Sequence, residues 1–274
     1  MSRIADTFAA LRARGEAGLV PFFTAGDPDL AVTRDLVRAA VAEGADAIEL
    51  GVPFSDPMAD GPVLQRSAAR AIAAGTTLHR VLELVAELRA DVAVPIVLFG
   101  YYNPIFRYGV EALARDAAAA GADGVLCVDL PFEEAAPLRT AAGTTGLDLI
   151  ALLAPTTPAA RVRTIARHAS GFLYFVSVLG VTGARSELPA ELPDMVARVR
   201  AVTALPVGVG FGVSRPEQAA WLARFADAVV VGSAIGRLVE DGGAAGAATR
   251  VAAFVGDLRR AMREVVPARV GAPS

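Results

Sequence analysis

Eight short apolar runs recur along the chain, at 19–24, 47–51, 95–100, 124–128, 149–153, 171–176, 206–209 and 228–231. Stretches with helical spacing lie between them, among them 30–43, 77–90, 109–120 and 159–169. Near-continuous apolar strands alternating with helices are the pattern of a parallel sheet covered on both faces. Eight such units in about 250 residues predict a closed (β/α)8 barrel. An open doubly wound sheet would need a dinucleotide fingerprint after the first strand, and Thr24-Ala25-Gly26-Asp27-Pro28 is not one. Nothing in the composition divides the chain, so 1–274 is expected to form a single barrel domain. Ile4, Phe8 and Leu11 recur at helical spacing and predict an extra N-terminal helix within 1–17. A short helix is expected over 234–240 after the eighth strand and a terminal helix over 249–265. The tail, 268–274, is expected to be disordered.

The basic residues remove several chemistries. All 26 are arginine, and the chain contains no lysine. It therefore cannot form a lysine Schiff base, anchor pyridoxal phosphate or build a Walker-type phosphate loop. The two histidines, His79 and His168, have no second histidine at metal-ligand spacing, so no metal site is expected. The single cysteine, Cys127, excludes an intrachain disulfide and fits a reducing, cytoplasmic setting. No run of 18 apolar residues suggests a membrane span, and Met1 to Arg14 lack a secretory pattern. A net charge of -3 offers no basic patch for nucleic acid. Carbon chemistry here must come from carboxylates, hydroxyls and backbone dipoles.

Glu49 lies inside the second apolar run, and Asp60 follows in a Pro/Gly-rich loop. Active sites of such barrels lie at the C-terminal ends of the strands, where both acids fall. A buried carboxylate is either paired with an arginine or carries a raised pKa suited to acid–base work. No arginine stands within ten residues of Glu49. Asp60 precedes Gly61-Pro62 and could equally shape a turn. Asp46, Asp123 and Asp227 each precede a strand and read as helix-to-strand corners. Asp129, beside Pro131, is not assigned to catalysis. The segments Gly180-Val181-Thr182-Gly183, Gly208-Val209-Gly210-Phe211-Gly212 and Gly232-Ser233-Ala234 are Gly-rich and follow strands 6, 7 and 8. Glycine turns let backbone N–H groups approach a phosphate, and a helix starting at Ser233 would add its dipole. Tyr174 shares one face of its strand with Phe172 and Val176, as a packing residue or a hydroxyl at the barrel mouth. Phe22, Phe99, Leu126, Val128, Leu152 and Phe211 could line a pocket for a flat ring or cap the core. Tyr101 and Tyr102 are read as the end of the third strand.

These segments resemble the α-subunit family of tryptophan synthases, in order and over nearly the whole chain. The most specific of them is Glu-Leu-Gly-Val-Pro-Phe-Ser-Asp-Pro-x-Ala-Asp-Gly-Pro, residues 49–62, with residues 21–28 beside it. The resemblance implies a barrel that cleaves indole-3-glycerol phosphate to indole and glyceraldehyde 3-phosphate. It implies Glu49 as the acid–base group and Asp60 as the carboxylate that accepts the indole N–H. It implies phosphate binding at Gly183, Gly212, Gly232 and Ser233. The indole pocket and its lid would comprise Phe22, Phe99, Tyr101, Leu126, Val128, Leu152, Thr182 and Phe211, with Tyr174 touching substrate. It also implies a β-subunit partner in an α2β2 assembly, faced by Pro53, Asp56 and Asn103. The pyridoxal phosphate would belong to β, leaving this chain without a cofactor. Val178-Leu179 departs from members that carry arginine there. Two other readings share parts of this pattern: a sugar-phosphate isomerase with two carboxylates, and a non-catalytic subunit that only activates a partner.

Overall fold

The computed structural model describes residues 2–176, 189–210 and 212–265. A first helix, α1 (Arg3–Arg14), precedes β1 (Gly18–Thr24). There follow α2 (Leu30–Ala42), β2 (Ile48–Gly51), α3 (Pro62–Ala73), α4 (Leu78–Leu88), β3 (Ile96–Gly100), α5 (Tyr102–Tyr108), α6 (Val110–Ala120) and β4 (Gly124–Cys127). The second half runs α7 (Ala136–Thr145), β5 (Asp148–Leu153), α8 (Ala159–Ala166), β6 (Leu173–Val176), α9 (Leu192–Arg200), β7 (Val207–Gly210), α10 (Pro216–Ala223), β8 (Ala228–Val231), α11 (Ser233–Gly242) and α12 (Ala247–Arg263). Each strand pairs in parallel with the next, and β8 pairs with β1, so the sheet closes on itself. The predicted (β/α)8 barrel is the observed fold. No helix among the described residues is long and apolar enough to cross a membrane.

Closure divides the apolar residues into two cores. Val20, Ala47, Val97, Leu126, Ile150, Phe172, Tyr174, Ala228 and Val230 point inward and pack together. Their neighbours in sequence, such as Leu19, Ile48, Ile96, Val125, Leu173, Val207 and Val229, point outward under the helices. This is the period-2 alternation of a strand, apolar on both faces because both are covered. The N-terminal helix shuts the lower end. Ile4, Phe8 and Leu11 are buried in the inner core, and the Phe8 and Phe172 rings lie 5.6 Å apart. Ser2 caps this helix by accepting from the Ala5 N–H at 3.2 Å, and its hydroxyl donates to Asp148 at 2.6 Å.

The corner aspartates are structural, and they act alike. Asp46 accepts the Leu19 N–H at 2.8 Å, Asp123 the Ile96 N–H at 2.8 Å, and Asp227 the Val207 N–H at 2.9 Å. Ser170 does the same for the Leu149 N–H at 2.9 Å. Each polar group precedes an even-numbered strand and ties down the start of the odd-numbered strand before it. Arginines complete three of the corners: Arg259 at Asp46, Arg89 and Arg3 at Asp123, and Arg200 at Asp227. Gly121 (φ 93°) ends α6 in the left-handed region, which turns the chain into the Asp123 corner.

Some boundaries differ from the sequence reading. The third strand stops at Gly100, because the Tyr102 N–H at the head of α5 is capped by Asp129 Oδ1 at 2.7 Å. Tyr101 and Tyr102 therefore open a helix and do not end the strand, and Asp129 is its cap. The short helix after β8 begins one residue earlier than expected, at Ser233, and the terminal helix spans Ala247–Arg263. The expected tail, 268–274, lies outside the described residues.

Asp123→Ala should test the corners. It removes the acceptor of a buried strand N–H and the counter-charge of Arg89, for an expected loss of about 3 kcal/mol. Asp29→Ala, which removes the cap on the Val32 N–H of α2, should cost only about 1 kcal/mol. Urea denaturation of both variants checks this, and equal losses would refute the special role of the corner.

Candidate active site

Glu49 is an inward residue of β2, between Phe22 of β1 and Val97 of β3 in register. It is 0% exposed, and neither carboxyl oxygen has a hydrogen-bond partner among the described residues. Burial pushes its pKa up to about 8, with no pairing to oppose it. At neutral pH the group is mainly a neutral acid. The arginine-paired alternative is thereby excluded among the described residues.

Asp60 ends the loop that leads into α3 and is half-buried. Burial raises its pKa to about 6, against an opposing hydrogen bond from the Tyr101 hydroxyl. The same hydroxyl accepts the Ala59 N–H at 3.1 Å. The Tyr101 ring also packs on Phe54, with centroids 5.3 Å apart. Tyr101 thus fastens the 53–60 loop from below. Tyr174 of β6 is buried, and its phenol stays protonated well above its ordinary range. Burial is the main cause, followed by the charges of Glu49 and then Asp60. That dependence puts the hydroxyl within electrostatic reach of both acids.

Glycines make room for these rings. A Cβ at Gly210 would fall 2.0 Å from the Tyr174 hydroxyl, and one at Gly51 would fall 2.5 Å from Cζ of Phe22. Phe22 meets Phe99 edge-on, with centroids 5.1 Å apart. Gly208 and Gly210 therefore belong to strand β7 and free space inside the barrel. They are not part of a phosphate turn, as the Gly-rich run had suggested. The signal was available in their alternation, since residues two apart on a strand face the same side.

A cavity of about 600 Å³ opens at this end of the barrel. That size suits a drug-sized or cofactor-sized ligand. Phe22, Phe99, Val128, Leu152 and Val230 give it an apolar wall, and Asp60 and Tyr174 give it polar groups. Gly212, Gly232 and Ser233 form a third side, where α11 begins. Among the described residues, a Cβ at Gly212 (φ 74°) would meet nothing within 4 Å. The same space continues past the outer face of β5 towards Arg139, Arg161 and His168. Glu49, Leu126 and Tyr101 do not line it: Glu49 and Leu126 are buried in the barrel interior, and Tyr101 lies under the loop. Pro53 is half-buried, and Asp56 and Asn103 are exposed on the rim. Thr182, Gly183 and Phe211 lie outside the described residues, as do Val178 and Leu179.

The burial of Glu49 has a thermodynamic signature. Its native pKa, about 8, exceeds its ordinary value of 4.5, so the native state holds a proton that the unfolded chain releases. Stability should fall as pH rises from 4.5 to 8 and level off above. Glu49→Gln cannot ionise. Relative to the parent, it should gain roughly 3–5 kcal/mol between pH 5 and 9. Denaturant midpoints across that range test this, and a difference independent of pH would show that Glu49 is ionised in the fold.

Residues 8–263 match the family described as Tryptophan synthase alpha chain. The tryptophan synthase alpha chain of Geobacter sulfurreducens is 56% identical over 262 residues, which cover 96% of this chain and 99% of that one. That of Burkholderia multivorans is 50% identical, over 96% of this chain and 97% of its own. Among solved structures, tryptophan synthase subunit alpha from Legionella pneumophila superposes with a TM-score of 0.90 at 39% identity. The match covers 97% of this chain and 100% of that one. A tryptophan synthase structure from Mycobacterium tuberculosis gives 0.88 at 38% identity, over 96% and 98% of the two chains. By sequence over nearly its full length, and by fold, this chain belongs to the tryptophan synthase alpha chain family.

Proposed function

We propose that this cavity is where the chain carries out the reaction of its family, with Glu49 and Asp60 dividing the work. The family reaction cleaves indole-3-glycerol phosphate to indole and D-glyceraldehyde 3-phosphate. Glu49 donates its proton to indole C3, which makes that carbon tetrahedral and weakens its bond to the side chain. The resulting carboxylate then takes the proton of the adjacent side-chain hydroxyl as the carbon–carbon bond breaks and the aldehyde forms. Asp60 accepts the ring N–H and stabilises the positive charge that develops there. The observation that carries this reading is that two acids near the Tyr174 hydroxyl, one beneath the cavity and one in its wall, are held apart in pKa, at about 8 and about 6. Near pH 7 the first is a donor and the second an acceptor. The mechanism requires the covered Glu49 carboxyl to come into contact with bound substrate.

The remaining parts fit one elongated ligand. The apolar wall suits the indole ring, with the Tyr174 hydroxyl beside it as a donor. Backbone N–H groups at Gly212, Gly232 and Ser233, with the dipole of α11, suit the phosphate. Gly183, Thr182 and Phe211 take their phosphate and lid roles from the family resemblance alone. A sugar-phosphate isomerase would share the glycine cradle but would have no use for the apolar wall. We assign residues 1–274 to one catalytic domain that works without a cofactor of its own in the cytoplasm. A β subunit carrying pyridoxal phosphate would receive the indole in an α2β2 assembly, with Pro53, Asp56 and Asn103 towards it.

Indole release from indole-3-glycerol phosphate should show a bell-shaped pH dependence of kcat/KM. It should rise through about pH 6 as Asp60 ionises and fall through about pH 8 as Glu49 loses its proton. Glu49→Gln should lower kcat by about 10³-fold or more with little change in substrate binding. Asp60→Asn should cost about 10²-fold and remove the acid limb. Near-normal turnover in Glu49→Gln would end the acid–base assignment. Gly212→Val should raise KM about tenfold with kcat nearly kept, because its side chain would enter the phosphate space. An unchanged KM would take that loop out of the site.

A further inference from the structure

Asp27 stands in the Ala25-Gly26-Asp27-Pro28 turn after β1 and takes no part in the chemistry above. Its side chain is 4% exposed. Arg70 of α3 grips it with two parallel bonds, Nε to Oδ1 at 2.7 Å and Nη2 to Oδ2 at 2.8 Å. The third arm of the guanidinium, Nη1, donates to Oε1 of Glu240 in α11 at 2.9 Å. Arg66, one turn earlier in α3, holds Glu240 from the solvent side, at 2.6 and 2.8 Å. Arg70 thus joins three elements: the turn after β1, helix α3 and helix α11.

The heads of the two helices are parts of the site. Helix α3 starts at Pro62, directly after Asp60-Gly61, and α11 starts at Ser233, directly after Gly232. Their flanks are in contact, since a Cβ at Gly236 would lie 3.1 Å from Val63 Cγ1 and 3.4 Å from Ser67 Oγ. Ser67 Oγ also accepts from Arg70 Nη2 at 3.1 Å. Near the far end of α3, a Cβ at Gly26 would strike Thr76 Oγ1 at 1.9 Å, so the turn after β1 packs there too. A planar guanidinium with a bidentate pair on one side and a single bond on the other fixes distance and angle together, which an ammonium cannot do.

We propose that Arg70 is a positioning residue for the family reaction. Through Asp27 and Glu240 it sets the spacing between the Asp60 carboxylate at the head of α3 and the phosphate cradle at the head of α11. This rests on the roles given above to Asp60, Gly232 and Ser233. A substrate held at both ends is sensitive to that spacing, because a displacement of about 1 Å can cost about a hundredfold in rate.

The test is steady-state indole release from indole-3-glycerol phosphate by the full-length chain, assayed well below each variant's Tm. Arg70→Met should lower kcat/KM by about 10²-fold, with kcat falling and KM rising, and Arg70→Lys should recover only part of it. Arg70→Met leaves the buried Asp27 without its counter-charge and could fail to fold. Glu240→Ala therefore cuts only the link to α11, and should raise KM about tenfold with kcat within about twofold. Variants that melt earlier yet keep kcat and KM within about twofold of the parent would overturn the proposal and leave Arg70 a purely structural ion pair. Asp60→Asn and Gly212→Val run beside them. If these lose activity as expected while Glu240→Ala and the Arg70 variants do not, the assignment of the site stands and the positioning role falls. If Asp60→Asn turns over normally, the parent reading falls, and the proposal with it.

Discussion

Closure of the parallel sheet sends every second side chain of each strand into a space that excludes water, and on β2 one of those side chains is a carboxyl. Glu49 has no cation and no donor beside it among the described residues. Ionising it there costs about 5 kcal/mol more than in water, so the group keeps its proton at neutral pH. The architecture that buries Glu49 is therefore the same one that makes it an acid at neutral pH. Around it, inward positions carry rings or glycines in complement: Phe22 against Gly51, Tyr174 against Gly210, Phe172 against Gly208. A methyl group at any of these glycines would displace a ring that walls the site or fills the interior beneath it.

Asp60 is an acid of the same chemistry in a different mechanical setting. It sits on a loop at the mouth, half-buried, where the Tyr101 hydroxyl donates to its ionised form. Burial and that hydrogen bond pull in opposite directions, and the result lies near 6. Strand against loop, and unpartnered against hydrogen-bonded, are enough to move two carboxylates apart in pKa. The loop is anchored at both ends. Tyr101 holds it from beneath at Phe54 near its start and at Ala59 and Asp60 at its end, and α3, clamped by Arg70, takes over directly after.

Much of this was legible in the chain. The eight apolar runs predict the barrel because strands covered on both faces need no polar alternation, and their centres agree with β1 to β8 to within a residue or two. Ile4, Phe8 and Leu11 predict α1, because a plug buries one helical face. The start of α3 was hidden, since Gly61-Pro62 reads as loop and only the structure shows Pro62 as the first helical residue. The aromatic pair after β3 reads as strand in the sequence because its cap, Asp129, comes from a different loop. Family resemblance puts Tyr101 in the indole pocket. Its position under the 53–60 loop depends on a contact between segments 42 residues apart, which no local pattern carries. Gly208 falls both in the seventh apolar run and in the Gly-rich segment that reads as a turn with Gly210, because composition alone does not distinguish a glycine that bends a chain from one that yields to a neighbour.

The stretch Ala45-Asp46-Ala47-Ile48-Glu49 puts the remaining distinction in one place. Two acids stand three residues apart, one on each side of the start of β2. Asp46 lies at the N-terminal end of the strand, where it accepts the Leu19 N–H and meets Arg259. It is fully engaged, and its role is to hold β1 in place. Glu49, further along and turned inward, has no such engagement among the described residues. The two ends of a barrel strand impose different demands. At the lower end, free backbone donors from the neighbouring strand and arginines from the surrounding helices consume an acid's hydrogen-bonding capacity. Near the upper end the neighbours are rings and glycines, which leave that capacity unspent and available to a substrate. An acid's place along the strand therefore decides between structure and chemistry, and this barrel applies that rule again at Asp123 and Asp227.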